Sequence, residues 1–318
     1  MPFFEVSRRL ELPPVATYAA LNLWNFKATG ISFDCLDDLQ TVHTFTGTES
    51  ESWFYLVSVA IESRGGRIIP TMLRAMDALK TRDFDVISDA LGELSECIVD
   101  LGRLLDRMHE KCDPMVFYHD IRPFLTGSKG STELPKGVYY DQGNGAGKRL
   151  QLRGGSNGQS SLIHFLDIVL GVKHGLRGGS ASDEAHVQGK TSFHEEVRSY
   201  MPGPHRRFLK HVEGMGSIRE LALEPATTLE QERFRGEFRK ATLELSLFRN
   251  KHLAIVTRYI IIPSRKPRCG TTRTSDDVAV RNPEELDGLK GTGGTFLLPF
   301  LKRSRDETLR AVNLGDGM

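Results

Sequence analysis

A chain of 318 residues is long enough for one large core or two ordinary ones. Its 42 Lys and Arg against 41 Asp and Glu leave a formal charge of +1, with no basic block, so nothing electrostatic points to nucleic acid or an anionic membrane surface as partner. No run approaches the roughly 18 apolar residues of a membrane span. The N-terminus lacks a charged-then-apolar secretory pattern, and Cys35, Cys97, Cys112 and Cys269 form no CxxC, so the expectation is a soluble cytoplasmic protein in a reducing compartment.

Leu12-Pro13-Pro14 precedes an apolar run, Tyr18 to Phe26, that reads as a helix entered after a proline stop. Trp53 to Ile61 is a buried strand or a buried helix, with Ser58 the odd polar residue in it. Ile68 to Lys80 has a helical pattern that tolerates Pro70 in its first turn. From Asp83 to Glu110, Phe84, Ile87, Leu91, Leu94, Ile98, Leu101, Leu105 and Met108 step by three and four, a long amphipathic helix. Cys97 and His109 on it read as packing and surface residues rather than ligands, because no partner lies at i+4. After Asp113-Pro114, MVFYHDIRPFL reads as a short helix ended or bent by Pro123, with Phe117, Tyr118 and Ile121 sharing turns with Arg122.

Residues 127–155 read as a long surface connection, and Gly143 to Lys148 fails as a phosphate loop because Gln142 and Arg149 stand at its required Gly and Ser/Thr positions. The glycine-rich Gly154 to Ser161 runs straight into LIHFLDIVLGV, an anion-binding helix start or an ordinary polar turn. A mobile loop over 174–191 and short helices at Phe193 to Tyr200, Pro204 to Val212 and Ser217 to Leu223 come next. Thr228 with Gln231 then forms a capping box for a helix that Pro263 stops. Its stripe is Phe234, Phe238, Ala241, Leu245, Phe248, His252, Ile255 and Tyr259. His252 on that stripe is either a core histidine bonded to a carbonyl or an axial haem ligand on a rigid helix. A mobile loop over 264–290, glycines at Gly291 to Gly294 and a last amphipathic helix from Phe296 to about Val312 complete an all-α pattern without internal repeat, read as one domain over 1–318.

Six blocks in register, Leu10 to Pro14, Phe117 with Arg122, Gly154 to Asp167, Tyr200 to Arg206, Arg249 to Pro263 and Gly291 to Thr295, resemble the indoleamine 2,3-dioxygenase family. The resemblance implies a helical domain binding haem b that adds both atoms of O₂ across the indole C2–C3 bond of L-tryptophan or a related indole, giving N-formylkynurenine. That is the first step of the kynurenine route towards NAD. It also implies an electron donor that reduces ferric haem, and the chain is expected to act as a monomer.

Within that resemblance His252 matches the proximal iron ligand, and Arg249 and Asp167 match an ion pair beside the haem. Arg122 matches the residue that grips the substrate carboxylate, for which a planar guanidinium is suited. Tyr18, Phe54, Phe117 and Tyr118 fall at positions lining the substrate pocket. Ser58 and Ser156 fall at small polar positions near O₂ and substrate, Asn157 beside the cofactor, and Thr292 on the loop that closes over the substrate ammonium. No distal histidine is expected, with His164 and His119 the ones to check. Tyr118 stands where better-known members carry a second phenylalanine, and Asn157 and Leu21 replace smaller or more polar residues, which bears on substrate preference. The family's small N-terminal domain has no counterpart here, so an uncovered apolar patch is expected. Two other readings are a haem-binding sensor or inactive relic, and a helical phosphate-binding module using the two glycine-rich loops.

Overall fold

The computed structural model describes residues 2–131, 133–143, 145–175, 193–266, 291–292 and 296–314. Among these the architecture is helical, as the periodicity predicts, with two small two-stranded antiparallel sheets. Helix α1 spans Pro2–Leu10; strands β1 (Phe26–Ala28) and β2 (Leu39–Thr41) pair; then come α2 (Glu49–Gly66), α3 (Ile69–Ala78) and α4 (Phe84–Asp106). Strands β3 (Val138–Gly143) and β4 (Ala146–Leu150) precede α5 (Ser161–Val169), α6 (Phe193–Arg198), α7 (Gly203–Glu213), α8 (Ile218–Leu223), α9 (Leu229–Val256) and α10 (Leu297–Val312).

The core forms between α4 and α9, with α2 and α3 on α4 and α10 on α9. Each long helix starts on a cap. Asp83 accepts the Val86 amide at 3.1 Å, and Thr228 with Gln231 makes the reciprocal capping box. Ile87, Leu91, Leu94, Ile98 and Leu101 of α4 and Phe238, Ala241 and Leu245 of α9 are all at most 1% exposed. Each fully buried large apolar side chain there contributes about 1.5–3 kcal/mol. Trp53 to Ile61 resolves as helix, the middle of α2.

Three expectations change. Tyr18 to Phe26 is not a helix but a five-residue π-helical turn, Ala19–Leu23, running into β1. The Asn22 and Asn25 amides bond the carbonyls of Tyr18, Leu21 and His43, which gives the backbone an alternative to a longer helix. The 127–155 stretch contains the β3–β4 hairpin, whose turn glycines Gly143 and Gly145 have φ of +87° and +74°. Its strands are mostly exposed, so no apolar alternation announced them. Pro263 does not stop α9 abruptly: a π-helical turn, Thr257–Ile261, follows it and Pro263 sits inside a last turn, Ile262–Ser264.

Most of the 174–191 and 264–290 stretches, and Gly293 to Thr295, lie outside the described residues, as does Cys269. Cys35, Cys97 and Cys112 are free thiols. No helix among the described residues is long and apolar enough to cross a membrane.

Candidate active site

A cavity of about 240 Å³ lies among α2, α5, α9, α10, the segment 114–125 and the loop 154–160. The three π-helical turns, Ala19–Leu23, Phe117–Ile121 and Thr257–Ile261, all contribute to its wall, through Leu21 and Asn22, Phe117, and Tyr259 and Ile260. Such turns hold one residue more than an α-helical turn and re-aim the side chains beyond them.

Helix α9 supplies Phe248, Arg249, His252, Ile255 and Val256 to the cavity. His252 is half-buried and lines the cavity. Burial, helped by the Arg249 charge, pushes its pKa down to about 4, so the imidazole is neutral at physiological pH. No described residue hydrogen-bonds it. The residue borders the cavity, where a neutral imidazole could serve as a metal ligand. Among the described residues no cluster of His, Cys and carboxylates could hold a bare ion, so an iron here would need its other ligands from a porphyrin. Apolar walls of Phe248, Ile255, Val256, Leu297, Phe300 and Leu301 suit a flat macrocycle.

Arg249 and Asp167 are both buried and paired at 2.5 Å. The other Arg249 bonds run to the Ser304 carbonyl at 2.9 Å and to the Thr308 hydroxyl, on α10. The second Asp167 oxygen meets His174 Nε2 at 2.9 Å, and His174 Nδ1 meets Glu307 at 2.7 Å. Burial alone would raise the Asp167 pKa, but Arg249 and His174 outweigh it and hold the carboxyl well below the usual range. Burial alone would lower the His174 pKa, but its two carboxylates outweigh that and raise it. A chain of alternating charge therefore joins α9, α5 and α10. Gly171, at φ +60°, positions it by closing α5 in a Schellman turn that sends the backbone towards His174.

Elsewhere on the wall, Phe54 and Phe117 pack at 4.8 Å between centroids, and Phe117 meets Tyr259 edge-on at 5.9 Å. Arg122 opens the helical turn after the second π-helical turn, and burial lowers its pKa. Tyr18 donates to Glu62 at 3.0 Å, and Ser160 bonds the same carboxyl oxygen. Burial raises the Glu62 pKa despite those two bonds. Gly154 allows the loop 154–160 to press on the chain near Leu125, since a Cβ there would lie 1.9 Å from the Leu125 carbonyl oxygen. Gln159 fills the loop by bonding the Tyr18 amide and the Gly154 carbonyl, and Ser160 caps α5, so the first turn is met by the chain's own groups.

Eleven of the residues singled out in the sequence line this cavity: Tyr18, Phe54, Ser58, Phe117, Arg122, Ser156, Asn157, Asp167, Arg249, His252 and Thr292. Tyr118 does not; its ring lies under the Arg122 guanidinium at 5.5 Å. Asn157 is exposed at the rim. Besides His252, His164 and His194 line the cavity. Both nitrogens of His164 are engaged, with the Gly158 carbonyl at 3.0 Å and Arg198 at 3.3 Å, and burial pushes its pKa down to about 4. His119 is not on the wall. Sequence reasoning missed His174, Glu307, Glu62 and Asn22, of which only Glu62, one turn beyond Ser58 on α2, carried a positional signal.

The sequence matches the family described as "Indoleamine 2,3-dioxygenase" over residues 1–311. An indoleamine 2,3-dioxygenase of Aspergillus nanangensis is 42% identical over 325 aligned residues, covering 98% of this chain and 73% of the relative. The Saccharomyces cerevisiae indoleamine 2,3-dioxygenase is 38% identical, with 98% and 72% covered. A 6-hydroxytryptophan 2,3-dioxygenase of Fusarium equiseti is 36% identical, with 98% and 73% covered.

Proposed function

This chain belongs to the indoleamine 2,3-dioxygenase family of haem-dependent dioxygenases, and from that premise we propose that it cleaves the indole C2–C3 bond of L-tryptophan or a ring-hydroxylated tryptophan. The observation that carries the proposal is a neutral, half-buried His252 without a hydrogen-bond partner among the described residues, on the same cavity as Arg122. When bound, haem b would supply the ferrous iron at which O₂ is activated.

His252 would hold the haem iron, with Arg249 and Asp167 fixing the helix that presents it. Arg122 would take the substrate carboxylate in a two-point contact, held flat by the Tyr118 ring beneath it. Phe54 and Phe117, packed on each other, would present one joint apolar wall to the indole, and Tyr18 would close that end of the pocket. Ser58 and Ser156 would offer hydroxyls near the reacting oxygen atoms, Asn157 would border the cofactor, and Thr292 would approach the ammonium group. Every atom of tryptophan and of O₂ is kept in N-formylkynurenine. No proton has to leave, so the wall needs orientation and dryness more than a general base. We assign the reaction to the cytoplasm, as the first step of tryptophan breakdown towards NAD, with an electron donor keeping the iron ferrous and the chain acting as a monomer.

Haem titration followed by steady-state turnover with L-tryptophan under reducing conditions tests the reading. The expected result is one haem per chain and formation of N-formylkynurenine, with haem retention lost in His252→Ala. Full loading without turnover of any indole would reject the dioxygenase assignment in favour of a haem-binding sensor.

A further inference from the structure

Glu62 stands one turn beyond Ser58 on α2, partly buried and not itself on the cavity wall. Among the described residues it has no cationic partner. Instead, two hydroxyls converge on one oxygen of its carboxyl: the Tyr18 phenol donates to Oε1 at 3.0 Å, and the Ser160 hydroxyl donates to the same atom. Burial raises the Tyr18 pKa, so the phenol keeps its proton and is the donor. Ser160 accepts the Ile163 amide at 3.3 Å while donating to Glu62, so its hydroxyl is used in both directions. Tyr18 and Ser160 both line the cavity, one beside the π-helical turn Ala19–Leu23 and the other at the start of α5. Their segments already touch: the Tyr18 amide donates to Gln159 Oε1 at 2.9 Å, and a Cβ on Gly155 would collide with the Leu21 side chain. Glu62 ties this assembled pair to α2. A carboxyl drawn out of water with no counter-charge weakens a fold relative to an apolar side chain of the same volume, so packing alone does not account for it. What it supplies is directed acceptance, one fixed point for two wall hydroxyls.

Resting on the reading of this cavity as an indole site, we propose that Glu62 is a positioning residue for substrate binding. By accepting from Tyr18 and Ser160 at a single atom, it sets the Tyr18 ring and the 154–160 loop at the spacing the indole requires. It acts through those two residues and touches neither substrate nor cofactor. The role needs an acceptor oxygen rather than a net charge. Glutamine offers one, and the two donors would turn its amide oxygen towards themselves. Alanine offers none, and leaves both hydroxyls without their shared partner.

The test compares haem-loaded wild type with Glu62→Gln, Glu62→Ala, Tyr18→Phe and the Tyr18→Phe, Glu62→Ala double variant at matched haem occupancy. L-tryptophan is the ligand, followed by spectral titration of the ferric protein and by steady-state kcat and KM. Glu62→Ala is expected to raise Kd and KM on the order of tenfold with kcat within about twofold, and Glu62→Gln to bring both back to within about threefold of wild type. Tyr18→Phe removes one of the two donors, so it should raise KM in the wild-type background and by less in Glu62→Ala, where that bond is already gone. A merely structural Glu62 would lower Tm and leave Kd and KM of the loaded chain unchanged, which overturns the proposal. Glu62→Gln as defective as Glu62→Ala overturns it too. Should Glu62→Ala not fold, the remaining variants decide: a raised KM in Tyr18→Phe with Glu62→Gln near wild type sustains the proposal, and an unchanged KM in Tyr18→Phe overturns it. If no indole perturbs the wild-type spectrum or is turned over, the indole reading itself fails, an outcome distinct from wild-type binding that Glu62→Ala leaves intact.

Discussion

At the scale of single residues, the site turns on how each buried charge is met. Arg153 reaches Glu196 at 2.6 Å and Arg249 reaches Asp167, so their charges are compensated within the chain. Arg122 lies on the cavity wall over the Tyr118 ring, burial lowers its pKa, and a docked carboxylate would make a further charge-assisted contact with it. Arg122→Ala is therefore expected to weaken substrate binding by about 2–5 kcal/mol, read as a large rise in KM, and Arg122→Lys to recover little of it, since an ammonium cannot reproduce the two-point contact. An unchanged KM in Arg122→Ala would remove the residue from the binding role. His252 was legible on the apolar stripe of a well-capped helix and Arg249, one turn earlier, only through the resemblance, and the stripe alone could not separate a satisfied core histidine from a ligand. Asn22 was not legible as a wall residue, because a five-residue π-helical turn has no period and the choice of side chains that line a cavity is a property of packing.

At the scale of elements, α10 is fastened to α9 and α5 by the chain Arg249, Asp167, His174, Glu307, and it supplies Leu297, Phe300, Leu301 and Ser304 to the cavity. The raised His174 pKa means the folded state holds that proton more tightly than the unfolded chain, whose value is near 6.5. Its stabilisation is complete below that value and is lost as pH rises through the folded pKa. His164 has the opposite sign: with a folded pKa of about 4, its contribution is present above 6.5 and is lost as pH falls towards 4. The Tm of the apoprotein should thus decline on both sides of neutrality. His174→Gln should lower it near neutrality and flatten the alkaline limb while leaving the acid limb in place. An alkaline limb equally steep in His174→Gln would show that the charge chain does not fasten α10. The resemblance implied the Arg249–Asp167 pair, but its extension could not be read from the sequence, since His174 sits in an aperiodic stretch and its partner Glu307 is 133 residues away. The long helices, by contrast, were legible almost to their ends, because caps and apolar period agreed.

At the scale of the whole molecule, the core between α4 and α9 leaves large apolar side chains on the outside of the β1–β2 region. Trp24, Phe33 and Phe45 are about half exposed, as is Phe124, and the rings of Phe45 and Phe124 stack at 5.1 Å. Such surface is available for self-association. The double substitution Phe45→Ser with Phe124→Ser should leave the acting monomer unchanged at low concentration, reduce the association expected at high concentration in sedimentation velocity, and change folding stability by no more than about 1 kcal/mol. Association unaffected by the pair would place the contact elsewhere. The family's order of blocks was readable along the whole chain, yet the β3–β4 hairpin and α1 were not. Both carry exposed faces, and exposed faces leave no hydrophobic pattern to read.

The π-helical turn Phe117–Ile121 gives the molecule an unusual sensitivity to chain length. Dropping one residue there would let the segment relax to an ordinary helix with its backbone bonds intact, while swinging everything beyond, Arg122 included, by about 100° around the axis. Ile121 and Leu125, both buried in the core, would turn with it, so the extra residue cannot be lost without repacking, and the wall position of Arg122 is inherited together with the packing beneath it.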